Sequence, residues 1–573
     1  MWHARSISEP LNLEHERVDD ITLLIGTMQQ VDLAGLLDRH LGNHGLHQGL
    51  SNGVLAMVWL AYIMSEADHR KSMVQGWAKR RRRILRKLLG TPIRPVEFTD
   101  DRLGILLHRL SKGKAWEALE AELWAKTVAV YDLEVRGIRL DSTTAYGYHT
   151  VTEEGLMQFG HSKDHQPDLP QLKLMAATNG AGQLVALDVL AGKSADEPLY
   201  RPLIARVHQL LGRSGLLYSG DSKMATLTTR ADIARHGDYY LVPLPMIGET
   251  PALFGAWVEA VVEGEQPAQL LWDGERLLGG GYEFERSLSA EVEGERVQVI
   301  RLAELARQEA EGLDKRLAQA EKALRAIAPL SSRGKRYYRD EASIREAIAK
   351  VKRHYRVGGL LHVTLEREEK SRERYAGRGR GGPDRPRVTQ TQVRYIVAEV
   401  QRDEEAIARQ RHRLGWRVQV TNALPEEMTI PEAVIHCRGG WTLERDFHLL
   451  KDRPLGISPL YVRRNDQILG LTRLLSLALR VLTLIETRVR RGLARAKEPL
   501  EGLYEGQPRR VTDRPTAPRL LKAFVRAEIT LTHIESSGQH LWHITPLSGP
   551  LERILAHLGL SKDLYERLAE NSP

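Results

Sequence analysis

Apolar residues recur at three- and four-residue spacing through 18–29, 34–40, 51–65, 69–89 and 100–131, which predicts a helical opening of about 130 residues. Gly and Pro fall at several of the breaks, and Ser51 stands where the third helix needs a side-chain cap. The pattern then changes. Residues 135–141 (VRGIRLD) read as a short strand closing on an acid. Two more strands follow at 172–178 (LKLMAAT) and 184–190 (LVALDVL), joined through Asn179 and Gly180, a hairpin-turn pair. A helix over 197–211 leads to a buried strand at 215–220 (GLLYSG) that delivers Asp221. A helix at 227–236 and a strand at 238–244 complete the order β-β-β-α-β-α-β.

Three meander strands followed by alternating helix and strand is the order of the ribonuclease H-like fold, and it is open to other α+β and α/β folds. Residues 251–425 interrupt that plan with candidate strands at 270–273, 277–287, 296–302, 360–365, 392–400 and 416–421. They also hold a mixed-charge helix near 303–327, which reads as a solvated structural helix, and a basic stretch at 371–387 whose Gly and Pro content predicts a flexible loop. From residue 431 the chain is helical again, with amphipathic segments at 441–451 and 466–491. Residues 508–519 read as a linker, and the tail as a hairpin (529–536, 540–545) and two short helices.

Composition narrows the picture. With 573 residues the chain is too long for one core. Lys plus Arg number 83 against 74 Asp plus Glu, a formal net charge of +9 that raises the expectation of a nucleic-acid partner only slightly. The distribution matters more: Lys79, Arg80, Arg81, Arg82 and Arg83, followed by Arg86 and Lys87, place seven cations in nine residues. The one cysteine, Cys437, excludes an intrachain disulfide framework and a Cys-rich zinc site, which suits a reducing cytoplasm. The first residues lack an apolar leader segment. The apolar run at 54–64 is too short to span a bilayer, and that at 467–486 is interrupted by Arg473 and Arg480, so both read as core helices and no membrane partner is expected.

Two acids stand out by position. Asp141 and Asp221 each close a buried run, and strands one and four of the expected sheet would be adjacent and parallel, so both carboxylates would emerge at one edge. Close carboxylates repel unless a cation or proton sits between them, and Mg²⁺ prefers such hard oxygen ligands. A third carboxylate would admit two metal ions, which activate the attacking oxygen and stabilise the leaving one. Glu444 is the candidate: on a helix it shares a face with Phe447, His448 and Lys451.

At these stretches the sequence resembles the DDE transposases of bacterial insertion sequences, in the cut-and-paste group with a β-rich insertion before the last acid. The segments that carry it are LDSTT at 140–144, GHSKDHQPDLPQ at 160–171, GDSK at 220–223, TN at 421–422 and WTLERDFHLLK at 441–451. Residues 18–20 and 65–70 are similar to the domain that precedes the catalytic core in one subgroup. The resemblance covers most of 15–490 and implies a ribonuclease H-like catalytic core interrupted by a β-rich insertion, with a helical N-terminal domain. Asp141, Asp221 and Glu444 would be the catalytic metal ligands for two Mg²⁺ or Mn²⁺ ions, and Lys451 would meet DNA phosphate. The group's Tyr and Arg upstream of the Glu fall on Cys437 and Gly440 here, and Arg438 stands two residues from the family's Arg.

The implied divisions are 1–130, a helical DNA-end-binding domain; 131–250, the first part of the core; 251–425, the insertion; 426–500, the second part of the core; and 501–573, a dimerisation and DNA-contact region. The implied reaction is cleavage of double-stranded DNA at transposon ends followed by joining of the 3′-hydroxyls to target DNA, by a homodimer assembled on DNA. Phosphate contacts would fall to Arg438, Arg445, Lys451, Lys163, Lys223 and the cations from Lys79 to Arg83. In relatives an aromatic from the insertion holds a flipped base, and Trp257, Trp272, Tyr282 and Trp416 are available here. The rival readings are a ribonuclease H-like nuclease and a catalytically decayed DNA-binding protein.

Overall fold

The computed structural model describes residues 12–42, 49–286, 294–328, 338–376, 378, 382–384, 386–536 and 539–570. The first eleven residues, and most of the Arg-Gly stretch at 377–381, lie outside the described residues. The chain forms two compact units, Met1–Val242 with His436–Pro573, and Pro243–Ile435.

The first unit opens with β1 (Asn12–Arg17), a strand the sequence pattern did not show, and then α1 (Ile21–Gln30), α2 (Leu33–Leu41) and α3 (Asn52–Glu66). Ser51 caps α3, its Oγ accepting from Val54 N at 3.2 Å. Two expected long helices are each broken in two. α4 (Lys71–Arg80) and α5 (Arg82–Leu89) part at Arg81, whose guanidinium lies 4.7 Å over Trp77 and donates to Glu66 at 3.0 Å. α6 (Asp100–Leu110) and α7 (Gly113–Tyr131) part at Ser111 and Lys112, where the next residue is a glycine.

Then come β2 (Gly137–Tyr146), β3 (Gln171–Asn179), β4 (Leu184–Ala191), α8 (Tyr200–Leu211), β5 (Leu217–Ser219), α9 (Leu227–Arg235) and β6 (Tyr239–Pro243). The element order matches the expected β-β-β-α-β-α-β. In space the strands lie β4-β3-β2-β5-β6, with β4, β3 and β2 antiparallel and β2, β5 and β6 parallel. β2 does not end at Asp141, as the apolar pattern predicted. It continues through Ser142, Thr143, Thr144 and Ala145, which are buried against neighbouring elements without reading as an apolar run.

The second unit contains α10 (Thr250–Val262), β7 (Gln269–Asp273), β8 (Arg276–Glu285), β9 (Arg296–Leu302), α11 (Ala303–Arg325), α12 (Glu341–His354), β10 (Leu361–Tyr375), β11 (Arg387–Arg402), α13 (Glu404–His412) and β12 (Trp416–Thr421). β12, β9, β8 and β7 pair in that order, all antiparallel. α11 is amphipathic rather than only solvated: Leu313, Leu317, Ala320 and Leu324 pack with Ile344 and Ile348 of α12 and with Val397 and Val400 of β11. Of the basic stretch at 371–387 expected to be a flexible loop, 371–375 and Arg387 lie in strands, and 376–386 are not strand where they are described. β10 and β11 pair from Leu361 with Arg402 out to Tyr375 with Arg387.

α14 (Ile430–Arg438) leads back to the first unit, which closes with α15 (Trp441–Lys451), α16 (Asn465–Ala496), α17 (Ala517–Arg526), β13 (Thr530–Ser536), β14 (Gln539–Ile544), α18 (Gly549–Leu558) and α19 (Asp563–Glu566). α16 is long and apolar enough to cross a membrane by length and composition, and its most apolar stretch is 83 % buried. It packs against α3, α6, α18 and β4. Gly470 permits the approach to α6, because a Cβ there would lie 2.0 Å from the Leu107 carbonyl oxygen. β1 pairs antiparallel with β13, from Asn12–Glu535 to Arg17–Thr530.

Candidate active site

The parallel pairing of β2 with β5 sets the two acids level. Gly137 lies beside Leu217 and Arg139 beside Ser219, an offset of 217 − 137 = 80. Asp221, two residues past the end of β5, stands at the same offset from Asp141, 221 − 141 = 80. Gly220 lets the chain turn here, since a Cβ would meet Met224 Sδ at 2.8 Å and the Leu140 carbonyl oxygen at 3.1 Å. Asp141 itself pairs across to Ala176 of β3.

Each acid is held by one oxygen. Asp141 Oδ1 accepts from Ser142 N at 2.7 Å and from Lys163 Nζ at 3.3 Å. Asp221 Oδ1 accepts from the Tyr200 hydroxyl at 2.7 Å and from Lys223 N at 2.9 Å. Among the described residues neither Oδ2 takes a hydrogen bond. Burial raises the pKa of the Asp141 carboxyl, and the charge of Asp221 adds to that; Lys163 opposes both. The Tyr200 hydroxyl is raised too, by burial first and then by the two acids, so it stays a proton donor.

Around this pair other charges are matched in turn. Asp196, buried, is bound by both Lys173 and Lys223. Burial alone would raise its pKa, but the two ammonium groups outweigh that and hold it below the usual carboxylate range. Lys451, at the end of α15, pairs with Asp164 and donates to Thr143 of β2 at 3.0 Å. Asp164 Oδ2 in turn accepts from Thr144 at 3.4 Å. On the other side of β5, Ser219 Oγ lies 2.9 Å from His436 Nε2, while Arg139 donates to the His436 carbonyl oxygen at 2.8 Å. Burial, then Arg139, pushes the pKa of His436 down to about 4, so it is neutral at pH 7.

No model of a known protein family matches the sequence, and no curated protein matches it. Among solved structures, the chain is similar to a piggyBac transposase synaptic complex with hairpin DNA, solved by cryo-EM. The TM-score is 0.34 and the identity 6 %, over 90 % of this chain and 82 % of that one. A likeness at that score carries no weight for fold or chemistry.

The remaining candidates divide into those near the pair and those turned elsewhere. Lys163, Lys223 and Lys451 all belong to the charge lattice just described. Glu444 is exposed on α15, the helix that packs on β2 and carries Lys451. Among the described residues no group of three His, Cys, Asp or Glu side chains is gathered closely enough to hold a metal ion. The donor set of Asp141 and Asp221, hard oxygens with one free atom on each, fits a divalent cation of the Mg²⁺ type; Glu444 is not assembled with it.

Arg445 faces inward, against expectation. Its guanidinium holds Asp446 at 2.8 Å and Glu486 at 2.5 Å, and its side chain is 15 % exposed. Arg438 is half-buried at the end of α14. Within the basic cluster, Lys79, Arg80 and Arg82 are exposed, whereas Arg81 binds Glu66 and Arg83 binds Glu14. A run of like charge along the sequence is therefore split by the helix break into outward and inward members. His161 and His165 are exposed on the loop that carries Lys163. Tyr200, Asp196, Lys173, Asp164 and His436 were missed as site residues. Asp164 lies inside the segment at 160–171 and His436 just before that at 441–451, while Tyr200, Asp196 and Lys173 carry no motif of their own; each acts on a partner distant in the chain.

Proposed function

We propose that the chain is a metal-dependent DNA transposase of the DDE insertion-sequence type, with a ribonuclease H-like catalytic core. The observation that carries this reading is the level placement of Asp141 and Asp221 on parallel neighbouring strands, each with one oxygen tied and one free. The strand order β4-β3-β2-β5-β6, with its first three strands antiparallel, agrees with that core. So does the resemblance at 140–144, 160–171, 220–223 and 441–451.

In this reading Asp141 and Asp221 would hold Mg²⁺ or Mn²⁺, and a second ion would require Glu444, which stands apart from the pair on α15, to approach them. The bound cations supply Lewis acidity at the phosphodiester and a water of lowered pKa. The protein's own groups do the rest. Tyr200 fixes the rotamer of Asp221, and Lys163 balances the charge of Asp141 until a cation binds. Lys451 is held over β2 by Asp164 and Thr143, from which a DNA phosphate would draw it. Lys79, Arg80 and Arg82 remain open to DNA. The substrate would be the inverted-repeat ends of the chain's own element, cut and then joined to target DNA by a homodimer in the cytoplasm, at the nucleoid.

A ribonuclease H-like nuclease would use the same two acids. The test is incubation of the protein with Mn²⁺ or Mg²⁺ and supercoiled DNA bearing the repeats that flank its gene. Cleavage confined to the repeat ends, lost in Asp221→Asn, is expected. Cutting indifferent to the repeats would favour the nuclease, and activity that survives Asp221→Asn would overturn the site. A decayed DNA-binding protein would bind the repeats and cut nothing.

A further inference from the structure

The β10–β11 ribbon extends well past the core that anchors it. Its base is packed: Leu361, Val397 and Val400 lie among Leu313, Leu317 and Leu324. From the Lys370–Gln392 pair out to the Tyr375–Arg387 pair, every residue of both strands is exposed. Val388 is 57 % exposed and Tyr375 41 %. A two-stranded ribbon bare on both faces is marginally stable in water. Its persistence over six residue pairs calls for a partner.

The register sorts the ribbon's side chains onto two faces. One face carries Lys370, Arg372 and Arg374 on β10, with Gln392, Gln390 and Val388 directly across. The other carries Ser371, Glu373 and Tyr375, opposite Thr391, Thr389 and Arg387. The second face is internally neutral: Arg387 pairs with Glu373 at 3.1 Å and lies 5.2 Å over the Tyr375 ring. Nearer the base, Arg394 pairs with Glu368 at 2.5 Å and Arg367 with Glu369 at 2.6 Å. Among the described residues, Lys370, Arg372 and Arg374 are left outside these salt bridges.

Three exposed cations in a row, outside any salt bridge and spaced by about 6.8 Å along a strand, would repel a second copy of the same face. They complement a regular line of negative charge. Duplex DNA is such a line, and its major groove, about 12 Å wide, admits a two-stranded antiparallel ribbon. Amides on the neighbouring strand add what a purely electrostatic surface lacks, since Gln pairs with the edge of adenine.

We propose that this face of the ribbon enters the DNA major groove, with Lys370, Arg372 and Arg374 on backbone phosphates and Gln390 and Gln392 toward base edges. It rests on the proposed function only in taking DNA as the partner.

The test measures binding of the full chain to a labelled duplex by fluorescence anisotropy across a range of salt concentrations. The triple variant Lys370→Gln, Arg372→Gln, Arg374→Gln is expected to lower the slope of log K against log salt by about 2.7, three phosphates at about 0.9 each. The opposite-face variant Ser371→Ala, Thr391→Ala, which alters no charge, is expected to keep the wild-type slope, which controls for folding of the ribbon. Gln390→Ala with Gln392→Ala is expected to keep the slope and to flatten sequence preference in a selection from random duplexes; an unchanged preference overturns the base-edge assignment. An unchanged slope in the triple variant overturns the phosphate assignment. So does a triple variant that alters only sedimentation without DNA, which would make the face a contact between copies. The two readings fail separately. Wild-type protein that binds with the full slope and never cuts defeats the transposase, and protein that cuts while the triple variant keeps its slope defeats the ribbon.

Discussion

Around Asp141 and Asp221 the ionised groups are tied in turn: Lys163 on Asp141, the neutral Tyr200 hydroxyl on Asp221, Lys173 and Lys223 on Asp196, Lys451 on Asp164. In the outer ribbon the reverse holds on one face, where Lys370, Arg372 and Arg374 stand in solvent with no salt bridge among the described residues. The two regions differ in what burial demands. A half-buried carboxylate pair keeps its geometry only if its charges are matched, since unmatched charge in low dielectric costs several kcal/mol. An exposed cation has no such demand and gains little from a surface pair, so it can stay unpaired and available. Compensation marks where chemistry would be positioned, and its absence marks where a charged partner would bind.

The largest effect should come from removing an acid of the pair. Asp141→Asn is expected to lower DNA cleavage by at least about 10³-fold, as for members of a catalytic unit, while the salt slope of DNA binding stays at wild type. If both fell together, the division between the two regions would be false. Compensation can be broken deeper in the same unit, where Glu120, 1 % exposed, holds both Arg206 and Arg480. Glu120→Gln leaves the buried Arg480 with neutral acceptors only and Arg206 with Asp188 alone, and should cost about 3–5 kcal/mol in urea denaturation, against well under 1 for Glu373→Gln on the ribbon.

Tyr200→Phe sharpens the comparison more gently. A hydrogen bond to a charged group contributes about 1.5–3 kcal/mol, so cleavage should fall roughly 10–100-fold and the thermal midpoint should fall with it. A higher Mn²⁺ concentration for half-maximal activity would separate loss of acid positioning from a general defect.

The smallest effect concerns His436. Its folded pKa, lowered from 6.5 to about 4, means that the unfolded chain binds a proton first as pH falls. Stability should therefore drop between pH 6.5 and 4, and His436→Gln should remove part of that drop, at about 2–4 °C of Tm per kcal/mol. A thermal profile with the same slope in wild type and variant would show that His436 does not stay neutral.

Much of the sheet was legible because its strands are apolar runs of the right length, and the helices of the first unit because their periodicity is strong. The breaks at Arg81 and at Ser111 were not, since a short turn between two helices leaves the apolar period almost intact. The full length of β2 was hidden because Ser142, Thr143 and Thr144 are buried polar residues that hydrophobicity does not report. α12 escaped notice although Ile344 and Ile348 stand one turn apart and Asp340 caps it through Ser343 N at 2.8 Å. At the site, the acid pair was readable from strand order. Lys163 and Lys451 stood out as cations, but their partners did not, nor did Tyr200, because Tyr200 lies 21 residues from Asp221 in sequence and Lys451 reaches Thr143 across 308.

The pairing of β1 with β13 has a bearing on how the protein comes into being. The first described strand finds its hydrogen-bonding partner only after residues 530–536 have been made, so the edge of β1 waits while the chain grows by 530 − 17 = 513 residues. The same holds for α1 and α3, which share their core with α16 and α18. Completion of the first unit is thus a late event governed by the tail, whereas residues 243–435 carry their own core and can close while the tail is still unmade.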